Sequence, residues 1–317
     1  MILHLLLIIT GFILLIKGAD FLVEGASAWA SRLGVSEIVI GLTVVSFGTS
    51  APELLVNVLS SFQGRTGIAF GNVIGSNIVN ILLILGIAGL IRPLQTRQNT
   101  IWKEIPFSLV AVAALILLCN DAFFSAGASQ LSRGDGLILL LFFIIFMVYV
   151  FGISRVDVED KPSIRQLPAG KTILFMAGGL IGLAAGGQLV VSRAVIFAEA
   201  LGLSQKFIGL TLVSIGTSLP ELFTSSVAAY RGKNDIAIGN VVGSNIFNIL
   251  FVLSLSGIIM PLPFETTLNA DLLFLSVASV LLFFTMFTGK KRKLDRWEAA
   301  LFLIIFLGYQ VFLFIRG

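Results

Sequence analysis

The chain has 317 residues, of which 57% are hydrophobic and only 12% charged, too little charge to cover the surface of a soluble protein of this size. Its net charge of +4 comes from basic residues scattered between apolar runs, which excludes the basic patch of a nucleic-acid-binding protein. With one cysteine, Cys119, and one histidine, His4, the chain has no intramolecular disulfide and no His/Cys zinc site, and we expect no cofactor.

Apolar runs of about 20 residues, the length that crosses a bilayer, recur along the whole chain. They predict an all-α membrane protein with ten transmembrane helices. The first helix is expected to be a true span, because the N-terminus lacks the basic start and small-residue cleavage site of a signal peptide. The predicted spans are 2–30, 36–62, 70–92, 101–120, 134–153, 171–200, 203–229, 237–260, 270–288 and 297–315.

The basic residues between the spans predict the orientation of the chain in the cytoplasmic membrane. If both termini lie outside, the inward-facing loops hold fifteen Lys and Arg residues and the outward-facing segments hold four. Because Lys and Arg concentrate in cytoplasmic loops, both termini are predicted to lie outside. The basic cluster at 290–296 is interpreted as a topology anchor, with contact to anionic lipid as the alternative.

Two segments of the chain recur at a constant offset of 168 residues. Residues 41–53, GLTVVSFGTSAPE, match residues 209–221, GLTLVSIGTSLPE, at ten of thirteen positions. Residues 71–80, GNVIGSNIVN, match residues 239–248, GNVVGSNIFN, at eight of ten. Agreement at one offset indicates that the chain arose by duplication.

The duplication divides the chain into a first five-helix repeat at 1–153, a cytoplasmic linker at 154–170 and a second repeat at 171–317. Five spans is an odd number, so the second repeat enters the bilayer from the opposite side. The two repeats are therefore predicted to be inverted, around a pseudo-two-fold axis in the membrane plane.

Glu53 lies inside the second predicted span, where an ionised and unpaired carboxylate costs about 2.5–3.5 kcal/mol or more. Pro52 cannot donate a hydrogen bond to the Gly48 carbonyl, so we expect the helix to open there and free the carbonyls of residues 46–49. For a single Glu, a packing role or a protonated carboxyl would be an equally good interpretation. The recurrence of the same arrangement at Glu221 favours a functional role.

The residues around both glutamates offer oxygen ligands. On a helix, Thr49 and Ser50 share a face with Glu53, and in the second repeated segment Ser76 shares a face with Asn80. Taken alone, the second segment would be better explained by close helix packing. The counterparts in the other half are Thr217, Ser218, Glu221, Ser244 and Asn248.

If the halves are inverted, these ten residues converge near the middle of the bilayer. All of them carry oxygen and none carries a thiolate or imidazole, which favours a hard cation such as Ca²⁺ or Na⁺. No Lys or Arg lies at this depth in the four predicted spans, which argues against an anion site. Asp20, Glu24, Gln188 and Arg193 lie towards span ends and are expected to have interfacial or hydrogen-bonding roles, not a direct role in ion binding. Gly178, Gly182 and Gly186 are expected to form a helix-packing ridge.

Both copies of Gly-Thr-Ser-x-Pro-Glu, each followed by Gly-Asn-Val-x-Gly-Ser-Asn-Ile-x-Asn, resemble the α-repeats of the Ca²⁺/cation antiporter superfamily, particularly its prokaryotic sodium/calcium exchangers. The resemblance covers nearly the whole chain. It implies ten transmembrane helices, two inverted repeats and alternating access. It further implies Ca²⁺ binding by Glu53 and Glu221, with Na⁺ or Ca²⁺ contacts from the motif Thr, Ser and Asn side chains at Thr49, Ser50, Thr217, Ser218, Ser76, Ser244, Asn80 and Asn248.

One departure from the family pattern concerns the charge of the site. Several exchangers carry Asp at the position of Asn248, whereas both copies here have Asn. Two carboxylates supply a charge of −2, which one Ca²⁺ or two Na⁺ would neutralise and three Na⁺ would exceed by one. The ion stoichiometry and the counter-ion therefore stay open.

The predicted function is that of a secondary active antiporter, not an enzyme, which exchanges Ca²⁺ for Na⁺ as the first and sixth spans move against the other eight. A Ca²⁺/H⁺ exchanger that uses the same glutamates is the alternative. A cation channel would fit inverted repeats with proline-broken helices less well, and an intramembrane enzyme would need a zinc set or a Ser/His pair that the chain lacks. The expected partners are the ions and the lipid bilayer, with no obligatory protein partner.

Overall fold

A computed structural model describes residues 2–120, 129–153, 167–200, 214–289 and 292–316. These residues form helices and four very short strands. The helices are α1 (Ile2–Leu33), α2 (Glu37–Thr49), α3 (Ala51–Phe62), α4 (Gly67–Ile91), α5 (Thr100–Cys119), α6 (Arg133–Ile153), α7 (Ala169–Ala200), α8 (Ser214–Thr217), α9 (Leu219–Tyr230), α10 (Asn234–Ile259), α11 (Thr266–Thr285) and α12 (Arg296–Arg316). The strands are β1 (Leu94–Gln95), β2 (Gln130–Leu131), β3 (Leu262–Pro263) and β4 (Lys293–Leu294).

In the described part of the chain, eight helices are long and apolar enough to cross a bilayer, and the bent pair α2–α3 makes a ninth span if it is counted as one. The prediction of a multi-pass, all-α membrane protein is confirmed. The seventh predicted span, 203–229, is described only from residue 214 onwards, as α8 and α9. The linker predicted at 154–170 lies outside the described residues up to position 166. Ten spans therefore stay a prediction.

The helix break predicted at Pro52 is present, two residues earlier than the proline itself. The axes of α2 and α3 differ by 48°, and Ser50 stands between them with φ −84° and ψ 8°. Ser218 breaks the second copy in the same way, with φ −87° and ψ 6°. In both copies proline occupies the first turn of the restarted helix, where its missing N–H costs no hydrogen bond.

The expectation that carbonyls 46–49 are freed is wrong for one of them. The Ser50 amide donates to the Ser46 carbonyl at 3.0 Å, which completes the last turn of α2. Proline removes a hydrogen bond only from the turn that precedes it by four residues, so its effect does not extend back to Ser46. The Ser46 carbonyl is therefore not a free oxygen ligand at this break.

The helices α4 and α10 form the centre of the molecule. Of their most apolar stretches, 72% and 94% is buried, against 22–39% for the other six long helices. Each contains a π-helical segment near its middle, Val79–Ile84 in α4 and Asn248–Val252 in α10. Such segments insert an extra residue into the helix, re-aim side chains and often occur at functional sites.

The helices α1 and α7 pack against each other in antiparallel fashion along most of their length. Their backbones touch at Gly18 and Gly179, where an added Cβ would lie 2.7–2.9 Å from backbone atoms of the opposite helix. The predicted ridge is correct for Gly182 and Gly186 but wrong for Gly178, where an added Cβ would meet no atom of a described residue within 4 Å. Gly179 takes its place, because a helix turns 100° per residue and only one of two adjacent glycines can face the partner.

Two antiparallel ribbons connect loops that are distant in sequence. β1 pairs with β4, with Leu94 opposite Leu294, and β2 pairs with β3, with Leu131 opposite Leu262. Each ribbon joins one loop from the first half of the chain to one loop from the second. Strands of two residues have no detectable sequence periodicity, which is why the sequence did not predict them.

Ion pairs gather around the loop between α9 and α10. Arg231 contacts Asp20 at 2.8 Å and Glu24 at 3.6 Å, and Lys233 contacts Glu37 at 2.7 Å. These pairs connect the loop to α1 and to the start of α2. The interfacial role expected for Asp20 and Glu24 agrees with this placement.

Candidate functional site

Two carboxylates from different halves of the chain lie in the core. Glu53 is in the first turn of α3 and is 1% exposed, and Glu221 is in the first turn of α9 and is fully buried. The helix breaks at Ser50 and Ser218 create these first turns in the middle of the protein. A helix N-terminus carries partial positive charge, so restarting the helix at this point stabilises a buried carboxylate.

Serine hydroxyls cross between the halves to reach these carboxylates. Ser50 donates to Glu221 Oε1 at 2.8 Å, and Ser218 donates to Glu53 Oε1 at 3.3 Å. Each serine lies three residues before the glutamate of its own half but bonds the glutamate of the other half. The two carboxyl groups therefore meet at a common centre. The sequence had placed Ser50 on the same helix face as Glu53, which the break at Ser50 prevents.

A second serine supports each carboxylate from within its own half. Ser76 on α4 donates to Glu53 Oε1, and Ser244 on α10 donates to Glu221 Oε1, both at 3.4 Å. Both serines are fully buried. The Oε1 atom of each glutamate thus accepts two hydroxyl groups, which leaves the Oε2 atoms to be accounted for.

Asn80 and Asn248 stand at the start of the π-helical segments of α4 and α10. The Asn80 amide donates to Asn245 Oδ1 at 2.9 Å, and the Asn248 amide donates to Asn77 Oδ1 at 3.1 Å. These contacts also cross between the halves. They use the amide NH₂ of both central asparagines and leave the carbonyl oxygen of each free to accept.

Four buried oxygen atoms of the site receive no hydrogen bond from any described residue. They are Oε2 of Glu53, Oε2 of Glu221, Oδ1 of Asn80 and Oδ1 of Asn248. An unsatisfied buried polar group typically costs about 1–3 kcal/mol, so four in one place are expensive unless a ligand completes them. All four are acceptors, and two carry formal negative charge. A cation is able to complete such a set.

The two threonines of the predicted site bond to asparagines of the opposite half. Thr49 donates to Asn240 Oδ1 at 3.0 Å, and Thr217 donates to Asn72 Oδ1 at 3.5 Å. The ten predicted residues therefore lie in a polar network of three hydrogen-bonded clusters, one around each glutamate and one formed by Asn80 and Asn248 with Asn77 and Asn245. Thr217 is only partly buried, whereas the other nine are at most 1% exposed.

Sequence reasoning missed the asparagines that support this network, Asn72, Asn77, Asn240 and Asn245. Each occurs in the repeated Gly-Asn-Val-x-Gly-Ser-Asn segment, and each pair is separated by the same 168 residues as the glutamates. That recurrence was the available signal. The helix-face argument was applied only to the serine and the last asparagine of each segment, although Asn72 and Asn240 lie four residues before those serines on the same face.

A cavity of about 530 Å³ runs along α7 up to the two helix breaks. Its lining includes Pro52, Thr217, Pro220 and Gln188. Gln188, for which the sequence predicted an interfacial or hydrogen-bonding role near a span end, is exposed and lines this cavity. The cavity leads from Thr217, the partly buried residue at the edge of the site, towards the surface.

Comparisons with known proteins agree with this geometry. A family model described as sodium/calcium exchanger protein matches residues 3–152 and 171–315. The putative antiporter CaxA of Alkalimonas amylolytica is 36% identical and the alignment covers 97% of each chain. The sodium/calcium exchanger MaX1 of Methanosarcina acetivorans is 32% identical over 98% of each chain. A solved structure of the sodium-calcium exchanger NCX_Mj is 36% identical and superposes with a TM-score of 0.82 over 97% of each chain.

Proposed function

Because the chain belongs to the sodium/calcium exchanger family, a family of transporters, we propose that it exchanges Ca²⁺ for Na⁺ across the cytoplasmic membrane as a secondary active antiporter. The observation that carries this proposal is the set of four buried acceptor oxygens without hydrogen-bond partners among the described residues, two from each half of the chain. Carboxylate and amide oxygens are preferred ligands of Ca²⁺.

In this proposal the two carboxylates bind the divalent ion and the neutral groups complete its shell. Glu53 and Glu221 contribute Oε2, and Asn80 and Asn248 contribute Oδ1. Ca²⁺ takes about 6–8 oxygen ligands, so hydroxyl oxygens or water fill the remaining positions. Six hydroxyl groups provide smaller Na⁺ sites around the carboxylates. They belong to the two Gly-Thr-Ser elements and to one serine each of α4 and α10: Thr49, Ser50, Ser76, Thr217, Ser218 and Ser244.

Competition for the same two carboxylates couples the two ion fluxes. With a fixed charge of −2, the site is neutral with one Ca²⁺ bound and carries an unneutralised charge when it is empty. Moving an uncompensated charge through low dielectric is costly, so the empty site does not cross the membrane barrier. After Ca²⁺ has left on one side, the site therefore returns across the barrier only when Na⁺ has taken its place.

Alternating access follows from an inverted arrangement of two five-helix repeats, at 1–153 and 171–317, with both termini outside. The tight backbone contact between α1 and α7 supports movement of these two helices as one body. The cavity between α7 and the two helix breaks supports access of ions to the site from the side on which this cavity opens. The repeat symmetry implies the opposite state, in which the cavity along α7 is closed and an equivalent cavity is open along α1.

The counter-ion is tested in reconstituted liposomes loaded with Na⁺ and diluted into Na⁺-free medium that contains ⁴⁵Ca²⁺. We expect Ca²⁺ uptake to require the outward Na⁺ gradient and to collapse when K⁺ replaces internal Na⁺. Valinomycin with equal K⁺ on both sides, added in all arms, removes the contribution of the membrane potential. Uptake of the same rate with and without the Na⁺ gradient would contradict the Na⁺-coupled proposal.

The second candidate is exchange of Ca²⁺ for H⁺ at the same glutamates. It is favoured by the two unpartnered Oε2 atoms, since each is able to accept a proton as well as a metal ion. In the same liposomes, a pH gradient that drives Ca²⁺ uptake in the complete absence of Na⁺ would support this candidate. Failure of the pH gradient alone, with success of the Na⁺ gradient, would eliminate it.

A further inference from the structure

A ring of four asparagines connects α4 and α10 beside the two central carboxylates. The amides of Asn80 and Asn248 donate to the side-chain oxygens of Asn245 and Asn77, at 2.9 and 3.1 Å. The ring closes through the backbone, because the Asn77 amide donates to the Asn245 carbonyl at 3.2 Å and the Asn245 amide donates to the Asn77 carbonyl at 3.4 Å. All four side chains are at most 2% exposed.

The ring permits one orientation of each central amide. Asn77 uses its NH₂ on a backbone carbonyl, so only its oxygen faces Asn248. If the Asn248 amide were flipped, two carbonyl oxygens would face each other and two buried groups would lose their hydrogen bonds. The same argument applies to Asn245 and Asn80. Each central NH₂ is therefore held against the opposite helix, and each central oxygen belongs to the unpartnered acceptor set.

We propose that Asn77 and Asn245 are positioning residues for ion exchange, which aim the carbonyl oxygens of Asn248 and Asn80 at the transported cation. They act through the central amides and do not bind the ion themselves. This role rests on the function proposed above.

A purely structural role for the ring would be to join two helices, and a matched control exists for that role. Asn120 and Asn269 also form a reciprocal pair, in which each amide donates to the other's side-chain oxygen, at 3.1 and 2.9 Å. This pair joins the end of α5 to the start of α11 and contributes no residue to the site. A substitution in the Asn120–Asn269 pair or in the ring removes hydrogen bonds between helices. Only a substitution in the ring releases the side chain of a proposed ligand.

The experiment compares Asn77→Ala with Asn120→Ala in liposomes, with KM for Ca²⁺ and the melting temperature as readouts. We expect Asn77→Ala to raise KM about tenfold, as loss of groups that orient a metal ligand commonly does. Both variants should lower the melting temperature, whereas Asn120→Ala should leave KM within about twofold of the unsubstituted protein. An unchanged KM in Asn77→Ala, or an equal rise in Asn120→Ala, would overturn the positioning role.

A double substitution tests whether Asn77 acts through Asn248. In an Asn248→Ala background, we expect Asn77→Ala to change KM by less than about twofold, because the amide that it orients is absent. Independent multiplication of the two effects would overturn the proposal. If Asn77→Ala does not fold, Asn245→Ala with Asn80→Ala gives the equivalent comparison from the other half. Absence of any Ca²⁺ flux in the unsubstituted protein would instead defeat the proposed function itself.

Discussion

Replacing either central glutamate with glutamine should abolish Ca²⁺ exchange while the protein still folds. In Glu53→Gln the oxygen that replaces Oε1 still accepts the Ser218 and Ser76 hydroxyls, so the surrounding contacts survive. The other position becomes an NH₂ group that points into a set of acceptors and towards the cation. Removing one charge from a buried pair costs about 3–5 kcal/mol, which corresponds to a loss of roughly 100-fold or more in Ca²⁺ uptake.

A suitable control for this experiment is Glu104→Gln. Glu104 is also a buried carboxylate in a membrane-crossing helix, at 2% exposure, and accepts the Tyr149 hydroxyl at 2.6 Å. Glutamine can accept the same hydrogen bond, and Glu104 contributes nothing to the central network. We expect Na⁺-dependent ⁴⁵Ca²⁺ uptake to persist in Glu104→Gln and to disappear in Glu53→Gln and Glu221→Gln. Persistence in the central variants would mean that these carboxylates do not bind the transported ion.

The second large effect is expected at the contact between α1 and α7. A Cβ at Gly179 would lie 2.7 Å from the Leu22 amide nitrogen and 2.8 Å from the Gly18 carbonyl oxygen. Backbone atoms cannot move aside as a flexible side chain can, so Gly179→Leu must separate the helices. Overpacking of this kind typically costs about 1–3 kcal/mol and sometimes more. We expect a lower melting temperature and loss of exchange, because the two helices no longer move as one body.

The adjacent glycine provides the matched control. Gly178 lies on the same helix, is exposed, and would meet no atom within 4 Å if it carried a Cβ. Gly178→Leu adds the same side chain and the same helix propensity as Gly179→Leu but places it away from α1. We expect this variant to melt and to transport like the unsubstituted protein. Equal behaviour of the two variants, measured by thermal unfolding and by ⁴⁵Ca²⁺ uptake, would contradict the proposed α1–α7 unit.

The meeting of the two glutamates with the motif hydroxyl groups in the core could be predicted from the sequence because duplication supplies an internal comparison. A single buried glutamate has several explanations, whereas Glu53 and Glu221 recur with the same proline, serine and threonine at the same offset. The helix break was predictable for a similar reason, since proline has a defined effect on the turn before it. The apolar runs predicted a membrane protein through the physical length of the bilayer core.

The connections between the halves could not be predicted from local patterns. Spacing on a helix shows which residues share a face, so it paired Ser50 with Glu53 of the same half. In the folded protein Ser50 donates to Glu221, because the backbone turns at Ser50 and directs the hydroxyl across the axis. The asparagine ring could not be predicted for the same reason, because Asn77 and Asn245 meet only when α4 and α10 cross.

The choice between neighbouring glycines also depended on packing. Gly178 and Gly179 are equally small, and only the rotation of α7 about its axis decides which of them faces α1. Sequence periodicity suggested a spacing of four residues from Gly178 through Gly182 to Gly186. The observed contact uses Gly179, Gly182 and Gly186, a mixture of spacings of three and four that is equally compatible with a helix of 3.6 residues per turn.

The most direct test of the central claim is to locate bound calcium by anomalous diffraction at long wavelength, from crystals grown with Ca²⁺ and without Na⁺. We expect one strong peak between α3 and α9, at Ca²⁺–oxygen distances of about 2.3–2.6 Å from the carboxylates of both Glu53 and Glu221. The peak should vanish when Glu221→Gln crystals are grown in the same solution. Calcium bound elsewhere, with the two carboxylates in contact only with protein groups or with each other, would contradict the account.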